Sequence, residues 1–198
     1  MKFVTAFCGL LAVVAIAVAG APLSHAQSAG WTTLFDGKNF DNWTKLGPGD
    51  IQLIDGAAQA TTVKGTSHLV SKEKYGDFEL RAEVWIDPTS NSGIFIRGQD
   101  AAKVGNATAY EVNVFDARPD PKYATASLVD VAPASTVVKG GGKWNVLEIT
   151  AKGPLFSVTF NGVKTVDNTR SDKFGPGIIS LQFGEGVVKF RKVEIRRL

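Results

Sequence analysis

The stretch Phe78 to Ile86 reads FELRAEVWI, with Phe78, Leu80, Ala82 and Val84 alternating against Glu79, Arg81, Glu83 and Trp85. A β-strand points successive side chains to opposite faces, so this spacing makes one apolar face and one polar face. The same period recurs in Gly93 to Arg97 (GIFIR), Tyr110 to Phe115 (YEVNVF) and Trp144 to Ala151 (WNVLEITA). It continues in Leu155 to Phe160, Val163 to Val166, Ile178 to Phe183 and Val187 to Ile195. Shorter strands are expected around Thr33 to Phe35, Ile51 to Ile54, Ala57 to Thr61 and His68 to Ser71. Asn161-Gly162 and Asp55-Gly56 separate pairs of these runs, and both dipeptides tolerate the positive φ of a tight hairpin. No long stretch carries helical i, i+3, i+4, i+7 spacing. So many short strands cannot stay in one flat sheet, so the sequence predicts an all-β fold: a two-sheet antiparallel jelly-roll sandwich.

Alternation also sorts the polar residues. Ile94 and Ile96 oppose Gly93, Phe95 and Arg97; Tyr110, Val112 and Val114 oppose Glu111, Asn113 and Phe115; Ile179, Leu181 and Phe183 oppose Ser180 and Gln182. If these strands are neighbours, their outer faces combine amides and charges with aromatic rings. That mixture can hydrogen-bond sugar hydroxyls and stack on sugar C–H faces. The segments from Gly98 to Ala109 and from Asp116 to Thr125 read as exposed loops.

Of the 198 residues, 44% are hydrophobic and 21% charged, which excludes a disordered chain. Met1-Lys2, the apolar run from Phe3 to Ala19 and the small residues around Ser24-His25-Ala26 form a signal-peptide pattern, with cleavage expected after Ala26. Residues 1–26 are therefore assigned as a leader and 27–198 as a single domain, exported to the periplasm or the extracellular space. An uncleaved anchor is the alternative; after cleavage no membrane association is expected. Cys8, Met1 and His25 leave with the leader, so the remaining chain has no cysteine and one histidine, His68. Disulfides, thiol nucleophiles and multi-histidine metal sites are thereby excluded. The net charge of +3 is too small to imply a nucleic-acid partner.

Five blocks carry a family resemblance: GWTTLFDGKNFDNW (30–43), YGDFELRAEV (75–84) followed by NSGIFIRG (91–98), the YEVNVFD run, KWNVLEI with its Asn-Gly hairpin, and the ending IISLQFGEGVVKFRKVEI. Their order resembles the 3-keto-disaccharide hydrolase domain family, whose fold is a concanavalin A-like lectin/glucanase sandwich. The resemblance implies substrates that are glycosides, oligosaccharides among them, already oxidised to a ketone at C3. Such a ketone acidifies the C2–H, so a base can remove that proton, the enolate can expel the C1 substituent, and water can add afterwards.

That chemistry needs a base and a stabiliser of negative charge. The resemblance makes Glu111 the base, through its Tyr-Glu-x motif, and Arg97 the electrostatic stabiliser, through the motif it ends. Asn113 and Gln182 would orient hydroxyls, Trp85, Phe95 or Phe115 would form a stacking wall, and Arg81 would contact substrate. The family pattern Leu-Gln-Asp-His-Gly reads Leu181-Gln182-Phe183-Gly184-Glu185 here, so its histidine is missing. No cofactor is expected, and nothing in the sequence supports a divalent metal. A non-catalytic carbohydrate-binding module and a structural or partner-binding envelope protein remain open beside the hydrolase.

His68, alone near a strand start, reads as a structural residue. Asp36, Asp41 and Asp116 read as turn formers, lacking the alternating acidic ligands of a calcium loop.

Overall fold

The computed structural model describes residues 30–60, 65–118 and 120–198. The expected leader lies outside them. Among the described residues thirteen strands run in chain order: β1 Thr32–Phe35, β2 Trp43–Leu46, β3 Ile51–Ile54, β4 Ala57–Ala60, β5 Ser67–Tyr75, β6 Phe78–Ile86 and β7 Ser92–Gly98. They continue with β8 Tyr110–Val114, β9 Trp144–Lys152, β10 Leu155–Phe160, β11 Val163–Arg170, β12 Gly177–Phe183 and β13 Val188–Arg197. The first sheet has the order β11-β10-β9-β6-β13-β4-β3, with β1 pairing β13; the second has the order β2-β5-β12-β7-β8. Every strand pairing is antiparallel.

The apolar sides meet between the sheets. Phe183 of β12 meets Phe190 of β13 edge-on at 5.4 Å, and Tyr110 of β8 meets Phe156 of β10 at 4.6 Å. Phe35, Phe78 and Phe160 are also fully buried, each contributing about 1.5–3 kcal/mol by leaving water. Both hairpins form as expected. Asn161-Gly162 takes φ of 50° and 79° between paired Phe160 and Val163, and Asp55-Gly56 takes 50° and 73° between Ile54 and Ala57.

Two expectations change. Trp43–Leu46 is a strand that sequence reading did not include: WTKL sets two polar residues side by side and so does not alternate, and the strand is fixed by pairing with β5 and by the Trp43 indole N–H donating to Leu34 O at 2.8 Å. The segment from Asp116 to Thr125 is only partly an exposed loop. It contains a short 3-10 turn over Pro121–Tyr123, and Thr125 is buried beneath the Phe115 N–H and the Asp116 carboxylate. Beyond it the chain pairs with the free edge of β8, where Asn113 N–H donates to Ser127 O and Val129 N–H to Glu111 O. An open edge is thereby covered. Asp116 also accepts the backbone N–H groups of Gly140 and Gly141, which makes it a structural anchor.

Candidate functional site

The outer face of the second sheet holds the site. Strand register places Glu111 of β8 opposite Phe95 of β7, and Phe95 opposite Ser180 of β12. In the adjoining row Asn113 faces Gly93, and Gln182 faces His68 of β5. Gly93 makes room for the central carboxylate: a Cβ there would sit 2.7 Å from Glu111 Oε1 and 3.0 Å from its Cγ. The Glu111 side chain therefore lies across β7 at Gly93, where no side chain competes for the space.

Glu111 is 8% exposed, and burial pushes its carboxyl up to about 7. A hydrogen bond from Asn106 and the positive charge of Arg118 pull the other way, while the negative charge of Asp130 adds to the rise. A carboxylate poised near neutrality is suited to accept a proton from carbon.

Two cavities meet at this residue. One, of about 340 Å³, is lined by Glu111, Asn113, Phe115, Arg118, Asp130 and Gln182. The other, of about 450 Å³, shares Glu111, Asn106 and Gln182 and adds His68, Phe95 and Lys103. The chain between β7 and β8 supplies Lys103 and Asn106, and the segment after β8 supplies Arg118, Tyr123 and Asp130. Arg118 rests on the rings of Tyr123 at 5.1 Å and Phe115 at 5.8 Å. Asp130 accepts from the Tyr123 hydroxyl at 3.2 Å.

Five of the residues expected from sequence thus come together: Glu111, Asn113, Gln182, Phe95 and Phe115. Asn113 is more constrained than expected, since its amide nitrogen donates to Tyr123 O and holds the turn beneath Arg118. Gln182 Oε1 is buried and finds no hydrogen-bond partner among the described residues.

Arg97, Arg81 and Trp85 are elsewhere. Arg97 follows the alternation of β7 only until the register with β12 slips between Phe95 and Gly98, where Arg97 takes φ 51°. That bulge re-aims its side chain. The guanidinium donates to Asp77 Oδ1 at 3.0 Å and to Gly76 O, and stacks over Phe156 at 5.1 Å, only 6% exposed. It ties the two sheets together and does not line either cavity. Arg81 and Trp85 lie on β6, in the other sheet. Arg81 pairs with Glu148 at 3.0 Å, and Trp85 lies under Lys189 at 5.0 Å. Alternation assigned their face correctly but could not assign their sheet.

Sequence reasoning missed His68, Asn106, Arg118 and Asp130. His68 carried a usable signal, because Leu69 between His68 and Val70 is core and turns both neighbours outward. The other three sit in connecting segments, where no period reports direction. Among the described residues no group of three or more His, Cys, Asp or Glu converges as a metal site would require.

Residues 30–196 match the 3-keto-alpha-glucoside-1,2-lyase-like domain. A curated 3-keto-disaccharide hydrolase of Bacteroides thetaiotaomicron is 31% identical over 150 residues, covering 61% of this chain and 52% of the relative. The chain thus spans about half the length of that protein. A crystal structure of a candidate glycosyl hydrolase from Parabacteroides distasonis superimposes with TM-score 0.73 at 22% identity, covering 85% of this chain and 94% of the other. The carbohydrate-binding module CBM66 of Bacillus subtilis superimposes with TM-score 0.58 at 18% identity, over 84% and 95% of the two chains. These two likenesses bear on the fold alone.

Proposed function

The chain belongs to the 3-keto-alpha-glucoside-1,2-lyase-like domain family, and from that premise we propose that it cleaves the glycosidic bond of 3-keto-glycosides, with Glu111 as the base at C2. The observation that carries the reading is the buried Glu111 carboxyl, pushed up to about 7 at the junction of two cavities.

Glu111 takes the C2 proton, and the electron pair passes into the C3 carbonyl as an enolate. The enolate collapses by expelling the C1 oxygen. That oxygen takes up one proton, the same number Glu111 received, so a single carboxyl can cycle between base and acid. Water then adds across the C1=C2 bond of the enone, hydroxyl to C1 and hydrogen to C2, and the net result is hydrolysis. Arg118 takes the electrostatic part that the family resemblance implies for Arg97. Its charge reaches Glu111, and Phe115 and Tyr123 hold it in place, so it can oppose the negative charge of the enolate. The missing family histidine is not needed in this scheme.

Turnover of a 3-keto disaccharide by the purified protein, compared with Glu111→Gln, tests the reading. Cleavage that the substitution abolishes is the expected result. Saturable binding without cleavage by the wild type would replace the enzyme with a binding module. Export through the leader at residues 1–26 completes the proposal, and N-terminal sequencing of protein recovered outside the cytoplasm is expected to begin at Gln27.

A further inference from the structure

We propose that Glu111 divides the groove into two sugar subsites, and that His68, Phe95 and Gln182 hold the sugar that departs. The inference rests on the reading of Glu111 as the base at C2. The two cavities share Glu111, Asn106 and Gln182; one adds Phe115, Arg118 and Asp130 from the segment after β8, and the other adds Phe95, His68 and Leu46 from β7, β5 and β2, across the sheet from that edge. At about 340 and 450 Å³, each is large enough to be a ligand site. A base at such a junction acts on a bond that crosses it, so one ring occupies each side.

Charge assigns the rings. Among the described residues, Arg118 and Lys103 are the cations that line the groove, and Arg118 is the one whose charge acts on Glu111. The oxidised ring, where negative charge develops, belongs on the Arg118 side. The opposite side combines Leu46 and Phe95 with His68, a lining suited to a neutral sugar whose C–H face is apolar and whose rim is hydroxylated.

His68 is built for that task. Its Nδ1 lies 3.0 Å from the fully buried Ser180 Oγ, and its ring meets Phe95 edge-on at 5.6 Å. With Nδ1 engaged by Ser180, Nε2 is the nitrogen left for a hydroxyl. Burial holds the imidazole down at about 4, so at neutral pH it acts as an uncharged hydrogen-bonding group and not as an acid. Gln182 Oε1, buried without a partner among the described residues, offers an acceptor on the boundary between the two sides. A donor supplied by the substrate would satisfy it, and a buried polar atom otherwise costs free energy.

The experiment compares kcat/KM for a 3-keto disaccharide with that for the methyl 3-keto-glucoside, which lacks the second ring. The wild type, His68→Ala, Phe95→Leu and Arg118→Met are measured, with circular dichroism to check folding. The expected result is a drop of about tenfold in the disaccharide-to-methyl ratio for His68→Ala, the loss of about one good hydrogen bond. Phe95→Leu should lower the same ratio, which keeps the test decisive if His68→Ala does not fold. Arg118→Met should weaken both substrates alike. Equal losses on both substrates in the His68 and Phe95 variants would overturn the subsite while leaving the activity intact. A ratio that responds to Arg118 instead would reverse the assignment and overturn it too. If the wild type cleaves neither compound, the proposed function fails. Calorimetric binding of the same two compounds then decides the subsite: a disaccharide preference lost in His68→Ala upholds it, and equal binding overturns it.

Discussion

The outer faces of the two sheets are built from the same kinds of residue and reach opposite ends. On the first sheet, Glu83 accepts from Arg191 Nε at 2.6 Å, Glu79 from Arg196 at 2.8 Å and Glu148 from Arg81 at 3.0 Å. The same cations lie on indole rings: Arg191 over Trp144 at 4.0 Å, and Arg81 and Arg196 over Trp31 at 5.0 and 5.3 Å. That face satisfies itself. On the second sheet, Glu111 is buried with its carboxyl raised to about 7, His68 is buried and uncharged, and Gln182 keeps an unpartnered oxygen. Polar groups whose charges are matched across the sheet give a solvated ladder, and buried polar groups that the fold satisfies only in part give a place for a ligand.

The sharpest way to break the comparison is to change one carboxylate on each face. Glu111→Gln is expected to lower kcat on a 3-keto disaccharide by about 10³-fold, the scale of a lost general base. Glu148→Gln, on the paired face, should leave kcat/KM within about twofold and cost at most about 1 kcal/mol of stability. Steady-state kinetics and urea titrations read both, and comparable kinetic losses would erase the distinction.

Arg97 belongs to neither face, and its loss should appear in stability. Removing a guanidinium that is 6% exposed and hydrogen-bonded to Asp77, whose own side chain is 41% exposed, costs about 2 kcal/mol. Urea midpoints of Arg97→Met should fall accordingly, while kcat of the folded fraction changes little. A selective loss of kcat at unchanged stability would return Arg97 to the site.

Protonation separates stability from activity at one residue. Glu111 keeps its proton up to about 7 in the fold, against an ordinary 4.5, so the folded state binds more protons between those values and stability falls as pH rises through them. His68 slopes the opposite way: with its ordinary 6.5 lowered to about 4, stability is lost as pH falls from 6.5 towards 4. Glu111→Gln should therefore be more stable than wild type at pH 8 by up to about 3 kcal/mol, with the difference vanishing near pH 4. Activity of the wild type should fall as pH drops below about 7. An acid limb near 4.5 would show that Glu111 is an ordinary carboxylate.

The smallest change tests the space beneath the carboxylate. In Gly93→Ala the new Cβ would meet Glu111 Oε1 at 2.7 Å, so the carboxylate must shift. A loss of about ten- to a hundredfold in kcat is expected, with circular dichroism unchanged. Undiminished kcat would mean that the position of Glu111 over β7 is immaterial.

Most of the sandwich was legible because burial on one face leaves a period of two, as in FELRAEVWI. The same signal placed Glu111, Asn113, Gln182 and Phe95 on an outer face. It placed Arg81 and Trp85 there as well, because a strand records its face in sequence but its neighbours only in the fold. Arg97 failed for a different reason: one bulge residue shifts the phase of a strand, and neither Gly93 nor Gly98 stands at the residue that takes the positive φ. Arg118 and Asp130 were invisible, since their direction comes from the turn that Asn113 fastens at Tyr123.

The most direct test is a crystal structure of Glu111→Gln with a 3-keto disaccharide. The account predicts the sugar across the second sheet, with its glycosidic bond over residue 111, the oxidised ring towards Arg118 and the other ring against Phe95 and His68. A sugar stacked instead on Trp31, Trp85 or Trp144 of the first sheet, with the groove at residue 111 unoccupied, would contradict it.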